Sequence, residues 1–107
     1  MTTSSELLAI VADLIRRRYA DRVAVVVNAP NEICVHQSGN SKIKVSIRFV
    51  GTEFPVHVSL RYEPGSAKSV VEANEDAVFM WGDEKLTAEG FVYRAFKGWF
   101  GGYQRYE

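Results

Sequence analysis

The sequence predicts an α+β fold: an N-terminal helix, an antiparallel β-meander of four to six strands, and a C-terminal helix packed on one sheet face. Three observations carry that expectation. A capped stretch with helical apolar spacing opens the chain, two runs of strict apolar–polar alternation occupy its middle, and a second helical stripe follows. At 107 residues there is room for one hydrophobic core, so residues 1–107 are expected to form a single compact domain.

The first helix is expected over 4–19. Thr3 followed by Glu6 fits a capping box, in which each side chain satisfies a backbone N–H of the other residue. Leu7, Leu8, Ile10, Val11, Leu14 and Ile15 recur at helical spacing. Arg16, Arg17, Arg18 and Arg22 fall at or just beyond the C-terminal end. Cations there meet the negative end of the helix dipole, so a structural role accounts for them.

Strands are expected at about 22–28, 32–37, 42–50, 55–62 and 77–81. "RVAVVVN" is β-branched and almost wholly apolar, the pattern of a strand covered on both faces. "KIKVSIRFV" and "PVHVSLRY" alternate strictly, with Pro55 at a strand start where its missing donor is tolerated. Residues 67–76 read equally as a short helix or a further strand. "GDEK" is read as the end of the 77–81 strand.

The last helix is expected over about 88–100, with Thr87 as its cap and Gly101 and Gly102 as its stop. Phe91, Val92, Ala95, Phe96 and Trp99 share one face, and Phe100 borders it. The closing "YQRYE" is left without a role in the fold. Tyr103, Arg105 and Tyr106, together with Trp99, are therefore candidate aromatic and cationic contacts for a partner.

Composition narrows the classes of function. Thirteen basic and thirteen acidic residues cancel, so bulk charge does not point to nucleic acid or to a membrane surface. Charge is nevertheless unevenly distributed, since 72–89 holds six acids against one lysine, a net of −5. The basic cluster of the N-terminus follows its apolar stretch, opposite to a secretory leader, and that stretch is too short to span a bilayer. One lone thiol, Cys34, fits a reducing compartment. A cytoplasmic protein without a membrane partner is expected.

Alternation also fixes the second face of the sheet. It shows Lys42, Lys44, Ser46, Arg48 and Val50 from one run, and His57, Ser59 and Arg61 from the next. If "GTEF" is a four-residue loop placing Val50 opposite Pro55, Arg48 meets His57, Ser46 meets Ser59 and Lys44 meets Arg61. Like charges placed opposite one another are mildly destabilising, so such a strip reads either as a surface kept for binding or as a solvated face whose charge protects the sheet against unwanted pairing. Lys42, Lys44, Arg48, His57 and Arg61 are the candidate binding residues, for phosphate oxygens or for an acidic protein patch.

Catalytic chemistry is thinly represented. Cys34 and His36 share a face of one strand, but no third group orients the imidazole, and His57 lies two strands away. No phosphate loop, dinucleotide fingerprint or calcium loop is present, and Cys and His are too few for a usual zinc site. No metal and no cofactor are expected. The leading expectation is a non-catalytic protein-interaction module that binds a second copy or another protein. The alternative is a nucleic-acid binder using the basic face, which the inward-pointing Phe49 and Tyr62 weaken, because single-strand readers stack bases on aromatic rings. A small enzyme using Cys34, His36 or His57 comes third.

Overall fold

The computed structural model describes residues 3–28, 30–63, 65 and 67–97. Helix α1 spans Ser4–Tyr19 and opens with the predicted capping box. The Thr3 hydroxyl accepts from the Glu6 N–H at 3.1 Å, and the Glu6 carboxylate accepts from the Thr3 N–H at 2.9 Å. Leu7, Leu8, Val11, Ala12, Ile15 and Tyr19 form its buried face. Two of the arginines at its end make contacts within the fold. Arg17 pairs with Asp13 at 3.0 Å, and the Arg18 guanidinium lies 5.0 Å from the centre of the Tyr93 ring.

A 3₁₀ turn, Ala20–Arg22, leads into seven strands among the described residues. These are β1 (Val23–Asn28), β2 (Glu32–Gln37), β3 (Asn40–Val50), β4 (Val56–Glu63), β5 (Ala67–Ala73), β6 (Phe79–Trp81) and β7 (Glu84–Leu86). Each pairs antiparallel with its sequence neighbours, so the spatial order is the chain order. Helix α2, Ala88–Phe96, follows, with the Thr87 hydroxyl accepting from the Gly90 N–H. Both helices lie on one face of the sheet and touch each other. Between them and the sheet, Ile33, Val35, Val45, Ile47, Phe49, Val56, Val58, Leu60, Val71, Ala73 and Phe79 are buried in one cluster with the helix residues. This is the helix–sheet–helix architecture expected, with more strands than the expected four to six.

The departures have local causes. Residues 67–73, ambiguous in sequence, are strand β5. Val71 and Ala73 point to the core and Val70 to the open side, so its pattern is half-apolar on both faces. "GDEK" does not end the sheet. Gly82, at φ +63°, and Asp83 form a tight turn into β7. β1 is an edge strand rather than one covered on both sides, and most of it is exposed. Helix α2 ends at Phe96, with Lys97 extended as its C-cap, short of the expected 100. Gly follows at 98, and Gly inside a helix costs about 1 kcal/mol relative to Ala. Trp99, Tyr103, Arg105 and Tyr106 lie outside the described residues.

The β3–β4 register differs from the expected one by two residues. Val50 stands opposite His57, because six residues, 51–56, separate the paired positions instead of four. Arg48 therefore meets Ser59, Ser46 meets Arg61 and Lys44 meets Glu63.

The turn between β5 and β6 is organised by one side chain. The Asn74 carboxamide oxygen accepts from the Asp76 N–H at 2.9 Å and from the Val78 N–H at 3.2 Å. Asn74→Ala leaves both donors without that acceptor and is expected to lower stability by about 1–2 kcal/mol in urea denaturation. Loss of less than half that would show that water replaces the carboxamide.

Tyr62 fastens α2 to the sheet. Its hydroxyl donates to the Ala95 carbonyl at 2.6 Å. Burial pushes its pKa up to about 12, with Arg94 pulling weakly the other way. The unfolded chain releases this proton near pH 10, whereas the folded state holds it to about pH 12. The stabilisation is thus complete below pH 10 and is lost as pH rises from 10 towards 12. Tyr62→Phe should flatten that part of the stability–pH curve relative to wild type. Parallel curves for the two proteins would contradict the burial argument.

Candidate functional site

The face of the sheet away from the helices is uncovered among the described residues. Because side chains alternate, each strand contributes every second residue to it. The registers arrange these into rows across the strands. One row runs Asn28, Glu32, Arg48, Ser59 and Val70, and the next runs Val26, Cys34, Ser46, Arg61 and Lys68. On one side lie Ala24, His36, Lys44 and Glu63, and on the other Val50, His57, Glu72 and Met80.

The middle two rows enclose a depression of about 280 Å³ lined by Glu32, Ser46, Arg48, Ser59, Arg61 and Lys68. Three cations, two hydroxyls and one carboxylate line it. Arg61 and Lys68 stand directly opposite each other across β4 and β5. The like-charge contact that the sequence suggested between Lys44 and Arg61 is therefore absent, and Arg61 makes one with Lys68 instead. The strain is eased by Glu63, whose carboxylate lies 3.2 Å from the Arg61 guanidinium. Both groups are solvated, so that pair is worth little by itself.

Of the five predicted binding residues, Arg48 and Arg61 line the depression. Lys44 lies in the adjoining row opposite Glu63, and His57 lies in the outer row beside Glu72, whose carboxylate is 3.9 Å from its Nε2. Lys42 is exposed near the start of β3, and the depression lies further along that strand. Lys68 and Glu32 were not singled out from sequence. The alternation Lys68–Val70–Glu72 against Ser69–Val71–Ala73 would have placed Lys68 on the same face as Arg61 once 67–73 was read as a strand.

The sulfur of Cys34 also faces this side, half-buried between the Asn28 amide at 3.7 Å and the Ser46 hydroxyl at 4.0 Å. His57 belongs to a different row, next to a carboxylate. Val50 and Val70 add exposed apolar surface to this face, at 50% and 61% of full exposure. The aromatic rings of the strands, Phe49, Tyr62, Phe79 and Trp81, belong to the core cluster or pack against it. Among the described residues no helix is long and apolar enough to cross a membrane.

Comparison with protein-family models, with curated proteins and with solved structures finds no match for this chain.

Proposed function

We propose that the protein is a small non-catalytic interaction module that receives an acidic segment of a protein partner on the open face of its sheet. The observation that supports this most is the convergence of Arg48, Arg61 and Lys68 on one depression with the Ser46 and Ser59 hydroxyls between them. Guanidinium groups match carboxylates through paired N–H donors, and hydroxyls complete the hydrogen bonding. Val50 and Val70, exposed on the same face, would give such a segment apolar contact beside the cations. A broad, shallow and partly apolar surface of this kind suits a macromolecule better than a small ligand, which needs deeper enclosure.

A protein partner fits the face better than a nucleic acid does. Glu32, Glu63 and Glu72 interleave with the cations and repel carboxylate and phosphate alike, so what distinguishes the two partners is stacking. No Phe, Tyr or Trp of the described residues supplies a stacking platform on this side.

The test uses fluorescently labelled poly-L-glutamate and a short oligothymidylate as probes, titrated at low salt. Poly-L-glutamate is expected to bind more tightly than the oligonucleotide, with affinity falling as salt is raised. Tighter binding of the oligothymidylate would replace the proposal by the nucleic-acid reading. Binding of neither probe would end both.

A further inference from the structure

The two edges of the sheet are built differently. The β7 edge is three residues long, carries exposed Glu84 and Lys85, and is tied to α2 by an ion pair between Glu84 and Arg94. Short, charged and anchored strands are the usual protection against unwanted pairing. The β1 edge has none of these features. Its six residues, Val-Ala-Val-Val-Val-Asn, include no ionisable side chain and no proline. Its outer side has no pairing strand among the described residues.

Exposure along β1 shows where it is open. Val23 is buried beneath the helix layer, but Val26 on the open face and Val27 on the core face are 47% and 37% exposed. The helix layer thus stops short of the distal half of the strand, leaving it apolar and solvent-facing on both sides. Backbone N–H and C=O groups along the outer side complete the chemistry, because only another extended strand satisfies them in series.

We propose that β1 pairs with β1 of a second copy, antiparallel about a two-fold axis, joining two seven-stranded sheets into one. Two properties favour a second copy over a foreign strand. The segment carries no charge with which to select a different sequence, and a two-fold axis makes any antiparallel strand its own complement. Residues opposite each other must point to the same face, which restricts the register to one centred on a residue. Centring on Val26 places Val26 opposite Val26 of the second copy on the open face. Val27 then meets Val25 on the core face, and Asn28 meets Ala24. This register covers both exposed valines of each copy. The interface is separate from the Arg48–Arg61–Lys68 depression and does not depend on its role.

Sedimentation velocity over a wide concentration range tests the proposal. Wild type is expected to shift from monomer to dimer as concentration rises. Val26→Lys, which would place two ammonium groups opposite each other on the axis, should remain monomeric at every concentration while keeping its far-ultraviolet circular dichroism. Val70→Lys, at the other exposed valine of the open face, should dimerise like wild type. Hydrogen exchange provides a second readout free of mutation, with amide protection in Val23–Asn28 rising with protein concentration. A wild type that stays monomeric, a Val26→Lys dimer, loss of the dimer in Val70→Lys, or concentration-independent exchange at β1 would each overturn it. Arg48→Glu with Arg61→Glu should leave the dimer intact, so failure here and failure of the depression as a binding site are distinguishable.

Discussion

Phe91→Ala is expected to destabilise the protein by about 3–5 kcal/mol, the cost of removing a fully buried aromatic side chain and leaving a cavity. Phe91 has no exposed surface, stacks on Phe79 with ring centroids 4.3 Å apart, and meets the Trp81 ring at 5.8 Å. These rings, with the Glu84–Arg94 ion pair, join α2 to the β6–β7 hairpin, whose strands are only three residues long. Ladder hydrogen bonds alone do not hold strands of that length, so the hairpin depends on the helix resting upon it. Total stability of a domain this size is about 5–15 kcal/mol, so the substitution removes a large part of it. Phe91→Leu, which retains most of the volume, should cost much less. Urea denaturation followed by circular dichroism gives both numbers. A loss below about 1.5 kcal/mol for the alanine variant would mean that the site collapses around the missing ring.

Reversing two charges on the open face is expected to weaken binding of poly-L-glutamate by a hundredfold or more. Each of Arg48→Glu and Arg61→Glu exchanges an attraction for a repulsion, on the order of 1–3 kcal/mol per site near a protein surface. The fold should be unharmed. Arg61 faces Lys68, so a glutamate at 61 turns a like-charge pair into an opposite-charge pair and offsets its proximity to Glu63. Position 48 faces Ser59 on one side and Glu32 on the other and is exposed. An unchanged melting temperature with lost binding separates recognition from stability. Unchanged affinity would remove the depression from the proposal.

Much of the fold was legible where one physical signal was long enough to be unambiguous. The capping box and six-residue stripe announced α1. Strict alternation over nine and eight residues announced most of β3 and β4 and assigned their faces correctly. The signal weakened where elements were short or two-sided. In β5, Val70 and Val71 are adjacent and both apolar, so period two is blurred and neither helix nor strand prevails. β6 and β7 have three residues each, fewer than any period needs to declare itself. β1 looked like a central strand because an undefended edge and a covered strand share the same apolar composition.

The site suffered from a different ambiguity. Its residues were placed on the correct face, because alternation alone determines that. Their neighbours were not, because register depends on the length of the Gly51–Pro55 connection, and a shift of two preserves every face while changing every partner. That shift moved Lys44 away from Arg61 and gave it Glu63. Lys68 was invisible until β5 was known to be a strand beside β4.

The order of the strands has a further consequence for how the chain is made. Each strand pairs with the one synthesised just before it, so hairpins can form one after another as the polypeptide emerges. The core face, however, is closed jointly by α1 and by α2, which follows the last strand. Until α2 leaves the ribosome, Phe79 lacks the ring that stacks on it and the Tyr62 hydroxyl lacks the Ala95 carbonyl. The nascent sheet therefore passes through a stage in which the part of its apolar side beneath α2 is bare. That stage, rather than the finished protein, is where a chaperone would find something to hold.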